Sequence, residues 1–331
     1  MLRICVAVAA LLICAPAPAG DIKLGYGSGE FEFLDPAGDA AKPVTVYTYV
    51  PRRAELKSAP ILFVMHGFHR SAKSYRNDWA YHADRAGFIV VAPLFDAKVW
   101  GNEYANPRIR DSKGRRGTLH PSFVLIEHLF DALREATHGT QRRYFIYGFS
   151  EGGQFVHRLV LTMPEARYAR AVIGTPGWYT MPDFETKWPY GLKHTSTNRA
   201  ALRKILERDV VLLLGGADND PNHYELSKTP GAIAEGPDRV ARGENFFRMA
   251  QLRAEELHAR FAWRMQIVPG VAHEPKKMSP AAAAQFALPL SSQRRAYFTT
   301  SENSPAAQMK LAVNKGVADA TSARRRRRRR S

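Results

Sequence analysis

The chain has 331 residues, 45% of them hydrophobic, and a formal net charge of +17. Its two cysteines, Cys5 and Cys14, both lie near the N-terminus, so the rest of the chain excludes a disulfide framework, a cysteine nucleophile and a cysteine-based metal site. Length and apolar content suit one large α/β domain or two small ones.

Met1 to Arg3 make a short basic start, Ile4 to Cys14 an apolar run, and Ala17-Pro18-Ala19 a small-residue site before Gly20. This order predicts a cleaved secretory signal over residues 1–19 and a secreted or periplasmic product. The apolar run is too short to span a bilayer, and Ile13 before Cys14 argues against lipidation. No transmembrane segment is expected once the signal is removed.

Residues 44–50 (VTVYTYV) alternate and predict a strand on a partly open sheet. Residues 61–65 (ILFVM) and 88–92 (FIVVA) are continuous apolar runs, as in strands buried on both faces. A helix is expected between them over residues 74–86, ended by Gly87. Residues 95–121 have no clear period and read as a long excursion. A helix follows over 122–137 with Ser122 as N-cap. Strands are then expected at 144–147, 171–173, 210–214 and 263–268. Helices are expected at 152–163, at 245–261 and from about Pro280. Strands alternating with helices over residues 20–290 predict a mostly parallel sheet covered on both faces. In such a sheet the active site lies outside the carboxyl ends of the strands. Residues 291–331 are polar and small, end in an arginine run, and read as a disordered tail.

Gly148-Phe149-Ser150-Glu151-Gly152-Gly153 stands where a strand gives way to a helix. Gly-x-Ser-x-Gly in that context has the form of a nucleophile elbow. The turn is tight, so side chains two residues either side of the serine would collide with the neighbouring strand and helix. Ser150 is thereby a candidate nucleophile, raised at the sheet's carboxyl end beside a helix N-terminus that favours developing negative charge.

A serine hydroxyl needs a base, and the base needs an acid to orient it. The expected chain order is serine, acid, histidine. Asp218 follows the 210–214 strand and His273 follows the 263–268 strand. Of eleven histidines, only His273 stands after the last core strand. Asp218 is closer to its strand than the competing Asp220. The run Asp218-Asn219-Asp220-Pro221-Asn222-His223 also suggests a cation site, but it lacks the glycine and terminal glutamate of a calcium loop. No metal is expected. His66-Gly67 ends the 61–65 strand, so backbone N–H groups of Phe68 and Glu151 are candidate oxyanion donors. His69, Trp178 and Tyr179 are weaker candidates for substrate contact, and Trp100 and Tyr104 for a lid.

Met65-His66-Gly67-Phe68, the 87–93 stretch GFIVVAP and the elbow together resemble the α/β-hydrolase superfamily over roughly residues 30 to 290. They are similar to its secreted polyhydroxyalkanoate depolymerases and feruloyl esterases. The resemblance implies a Ser150-His273-Asp218 triad, an acyl-enzyme intermediate, no cofactor, and a small-molecule or polymeric ester substrate. The chain departs from that group in lacking cysteines outside the signal. It also carries an insert, residues 219–244, between the acid and the next predicted helix.

The run from Arg324 to Arg330 predicts salt-dependent attraction to anionic surfaces. No aromatic residues interleave with it, so no specific nucleic acid partner is expected. A carboxylic ester hydrolase is the leading expectation. A serine peptidase of the same fold is its near rival, because the same triad cleaves amides. A non-catalytic protein that binds anionic surfaces is the alternative from another class.

Overall fold

The computed structural model describes residues 22–107 and 121–287. The expected signal, part of the 95–121 excursion, and the tail with Arg324 to Arg330 lie outside these residues.

Eight strands form one sheet in the order β1-β2-β4-β3-β5-β6-β7-β8. They are β1 (Gly27–Phe33), β2 (Val44–Val50), β3 (Ile61–Met65), β4 (Ile89–Leu94), β5 (Tyr144–Phe149), β6 (Tyr168–Gly174), β7 (Val210–Gly215) and β8 (Arg264–Val268). β1 and β2 pair antiparallel, and β2 meets β4 antiparallel; β3 to β8 run parallel. Position dictates pattern. β3 and β7 are buried throughout, and their sequences are continuously apolar. β2 is buried at alternate residues, and its sequence alternates.

The helices are α1 (Ala72–Ala86), α2 (Ala97–Trp100), α3 (Pro121–Thr137), α4 (Glu151–Thr162), α5 (Arg199–Leu206), α6 (Pro230–Glu235), α7 (Arg239–Glu256) and α8 (Pro275–Ala287). Trp79 of α1 and Met278 and Phe286 of α8 share one apolar core with one face of the sheet. Leu129 of α3, Phe155 of α4, Leu202 of α5 and Phe246 of α7 fill the other. A sheet with helices on both faces is what the alternating pattern predicted.

Several expectations need correction. β1 and α5 are elements that the sequence pattern did not predict. β1 exposes alternate residues because it is the edge strand, so it carries too few apolar residues to stand out. Ser122 lies inside α3, buried in its first turn, and does not cap it. α7 begins six residues before Asn245, because Asp238 caps it by accepting from the Ala241 N–H at 2.9 Å. It ends at Glu256, and His258 then takes a left-handed φ of 51°. Pro280 stands inside α8 and does not open it.

After β3 the chain crosses to β4 on one side, then returns to β5 on the other. This is the topological switch at which open sheets form a crevice. Met65 pairs with Gly148 in register, so the loop after β3 stands beside the turn after β5. The loops after β6, β7 and β8 open at the same end.

Candidate active site

Ser150 stands between β5 and α4 with φ 57° and ψ −116°. Few residues other than glycine adopt that region, and it persists only where surrounding structure enforces it. The enforcement is steric. A Cβ on Gly148 would overlap the Gly152 carbonyl, and one on Gly152 would overlap the Met65 carbonyl. The Ser150 N–H donates to the Gly174 carbonyl at 2.9 Å, which ties the turn to β6.

His273 and Asp218 come to the same point from the loops after β8 and β7. His273 Nε2 is 2.9 Å from Ser150 Oγ, and His273 Nδ1 is 2.6 Å from Asp218 Oδ2. The Phe149 ring packs on the imidazole at 4.9 Å between centroids. Asp218 is buried and turned inward, whereas Asp220 is exposed and accepts from the Asn222 N–H at 2.8 Å. Sequence spacing alone had left the two in competition. An Asp218 carboxylate engaged in this way is not free to help chelate a cation.

Phe68, Ser150 and Glu151 line one cavity of about 640 Å³. His66 fixes the loop that carries Phe68. It is fully buried, its Nδ1–H donates to the Gly67 carbonyl at 3.0 Å, and its Nε2 accepts from the Phe95 N–H at 3.1 Å. Those two bonds require the neutral ring, and burial pulls its pKa down to about 3. Tyr104 stacks on it at 4.5 Å and donates to its carbonyl. Trp100 and Tyr104 are therefore buried core residues and not a lid. Arg70, with φ 54°, donates to the Glu151 carboxylate at 3.2 Å and so links that loop to the elbow. Burial raises the Glu151 carboxyl pKa, against the opposing pull of Arg70.

The opposite wall is aromatic. Trp178 and Tyr190 line the cavity 4.7 Å apart. Behind Trp178 lies the fully buried guanidinium of Arg158, 4.0 Å from its ring. Tyr179 faces away from the cavity, fully buried against Phe246 at 4.6 Å. The expectation of substrate contact at Tyr179 is corrected: the irregular segment after β6 turns its ring onto Phe246 of α7.

The insert supplies the third wall, with Tyr224, Glu225 and Arg239. His69 reaches across the mouth, its Nε2 2.7 Å from Glu225 Oε1. Arg239 donates to Asp218 Oδ1 at 3.0 Å, and the His223 ring lies 5.6 Å from that of His273. Arg239 was missed in the sequence, and His223 was weighed there only as part of a cation run. A Gly236-Pro237-Asp238 turn-and-cap signal before Arg239 could have placed that arginine at the start of a buried helix. Arg239 on the cavity wall is paired with Asp218, and the wall carboxylates Glu151 and Glu225 are engaged by Arg70 and His69.

Such an arrangement can activate a hydroxyl and hold a developing oxyanion in a partly apolar cleft. Among the described residues no helix is long and apolar enough to cross a membrane. No protein-family model matches the chain, and no curated protein matches it. Solved structures do. Poly(aspartic acid) hydrolase-1 from Sphingomonas sp. KT-1 is 42% identical with a TM-score of 0.74, over 79% of this chain and 98% of that one. LpqC, a poly(3-hydroxybutyrate) depolymerase from Bordetella parapertussis, is 30% identical with a TM-score of 0.74, over 79% of this chain and 90% of that one. An S-formylglutathione hydrolase from Agrobacterium tumefaciens shares the fold at 16% identity and a TM-score of 0.50, over 80% of this chain and 95% of that one. With these relatives, the chain belongs to the α/β-hydrolase family of esterases and depolymerases.

Proposed function

We propose that the chain is a secreted serine hydrolase that cleaves carboxylic esters through Ser150, His273 and Asp218. The carrying observation is the unbroken relay from Ser150 Oγ to His273 Nε2 at 2.9 Å and from His273 Nδ1 to Asp218 Oδ2 at 2.6 Å. Ser150 Oγ attacks the substrate carbonyl carbon while His273 Nε2 takes its proton. The carbonyl oxygen becomes an oxyanion facing the Phe68 and Glu151 amides, at the N-terminus of α4. Collapse expels the alcohol, which receives the proton from His273. Water, activated by the same histidine, then attacks the acyl-enzyme and releases the acid and free Ser150.

The basic N-terminal start, apolar run and small-residue site speak for export. The Arg324 to Arg330 run speaks for loose attachment to anionic surfaces. A second reading is cleavage of amide bonds in an acidic polymer, favoured by the 42% identity to a poly(aspartic acid) hydrolase. Against it stands the pairing of Arg239 with Asp218, which leaves this cation of the cavity wall engaged.

Turnover of p-nitrophenyl acetate and p-nitroacetanilide, together with release from poly(3-hydroxybutyrate) and poly(aspartic acid), separates the readings. The ester reading expects acetate and poly(3-hydroxybutyrate) turnover, lost in Ser150→Ala. Cleavage of the anilide and poly(aspartic acid) alone would replace it with the amide reading.

A further inference from the structure

We propose that Arg239 is a positioning residue for the acid–base pair: it clamps one oxygen of Asp218, presents the other to His273, and keeps the carboxylate from holding that histidine protonated. The inference rests on the triad reading above.

Geometry is its first support. Arg239 is the first residue of α7, capped by Asp238, and its side chain and that of Asp218 are each 2% exposed. Nη1 donates to Asp218 Oδ1 at 3.0 Å, while Oδ2 faces His273 at 2.6 Å. One carboxylate thus has each oxygen committed to a different partner, which fixes its rotation. The guanidinium is itself held on its far side, because Nη2 donates to His223 Nδ1 at 3.3 Å. That nitrogen also accepts from the Glu225 N–H at 3.2 Å. Two donors at Nδ1 leave the His223 ring neutral, with its proton on Nε2. His223 is therefore an uncharged spacer between Arg239 and His273.

Charge is the second support. A buried carboxylate whose only strong partner is an imidazole favours the ion pair, with the imidazole protonated. A protonated His273 cannot take the Ser150 proton. The Arg239 cation satisfies much of the Asp218 charge and repels a second cation beside it. The remaining groups around His273 do not substitute for it. Glu225 is engaged by His69, and Glu274 pairs with Lys277 of α8 toward solvent.

The test is the pH dependence of kcat/KM for p-nitrophenyl acetate between pH 5 and 9. With Arg239 removed, protonated His273 is favoured, so the base form appears only at higher pH. Arg239→Met is expected to move the acid limb up by roughly 0.5–1 pH unit and to lower kcat about tenfold. Arg239→Lys, which keeps the charge but not the fork, is expected to restore the limb and only part of kcat. In an Asp218→Asn background, Arg239→Met should move the limb less than it does beside an intact Asp218, because only the direct repulsion between the two cations is then removed. A wild-type limb in Arg239→Met, with kcat reduced only as far as the folded fraction measured by circular dichroism, would overturn the proposal. Should Arg239→Met not fold, Arg239→Gln carries the same test, since it keeps a donor toward Oδ1 and drops the charge. Turnover surviving in Ser150→Ala would instead sink the triad reading itself.

Discussion

The two sides of the cleft are held by different forces. The elbow side, from β3 and β5 into α4, is fixed by exclusion: backbone packs on backbone at Gly148 and Gly152, and no side chain fits between. The acid side, from β7 through the insert into α7, is fixed by charge: Arg239 on Asp218, Glu225 on His69, and Asp238 at the helix start. Steric constraint tolerates almost no substitution and is indifferent to salt and pH. Charge pairing tolerates shape changes but depends on which partners stay ionised. In the proposed mechanism the nucleophile needs one conformation and the acid–base pair a tuned potential, so each side carries the constraint that this chemistry would require.

The largest effect should come from cutting the acid side at its centre. Asp218→Asn is expected to lower kcat/KM by about 10³–10⁴-fold, since the imidazole loses its orienting charge. It should also cost about 3 kcal/mol of stability, because Arg239 is left buried without an anion. Asp220→Asn should stay within about twofold on both counts; equal losses at the two positions would erase the assignment. On the elbow side, Gly152→Ala should reduce activity at least about 100-fold and stability by about 3 kcal/mol, because the new methyl meets main-chain atoms that have no room to retreat. A fully active, stable Gly152→Ala enzyme would show that exclusion does not hold this wall.

Acid sensitivity sharpens the contrast, because the elbow side hides neutral histidines. His66 is pulled down to about 3 by burial, and His157, fully buried with Nε2 accepting from the Thr180 N–H, lies well below the ordinary value. Between pH 6.5 and about 3 the unfolded chain binds a proton at His66 that the folded chain refuses. Stability from this source is complete above pH 6.5 and lost as pH falls. The expected slope is about 1.4 kcal/mol per pH unit for each such histidine, read from urea unfolding at pH 7 and pH 5. A flat profile over that window would contradict the buried neutral rings. The smallest effect belongs to the clasp at the cleft mouth. Glu225→Gln should change kcat/KM less than about threefold, because His69 is 71% exposed and an exposed pair contributes little.

The same contrast explains what the sequence disclosed. Exclusion leaves a local mark: two glycines flanking a serine between a strand and a helix were enough to locate Ser150. Chain order then brought Asp218 and His273 forward, each in a short loop after a buried strand. Continuous apolar runs located β3 and β7, because burial on both faces admits no polar alternation. Charge pairing leaves no such mark. Arg239 and Asp218 are twenty-one residues apart, and nothing local distinguishes Arg239 from the chain's other arginines. His66 is similar: the His66-Gly67 strand end pointed to backbone N–H groups in the loop, while nothing in the sequence marked the imidazole that holds it. Tyr179 shows the converse error, since proximity in sequence to a cleft wall does not settle which way a ring turns.

The most direct test of the account is labelling with a fluorescent fluorophosphonate, which reacts with an activated serine, in the wild type beside Ser150→Ala and His273→Ala. The account predicts strong labelling of the wild type, none of Ser150→Ala, and labelling of His273→Ala reduced at least about 100-fold. A folded wild-type protein that takes up no label, or a Ser150→Ala variant that labels as well as the wild type, would contradict it.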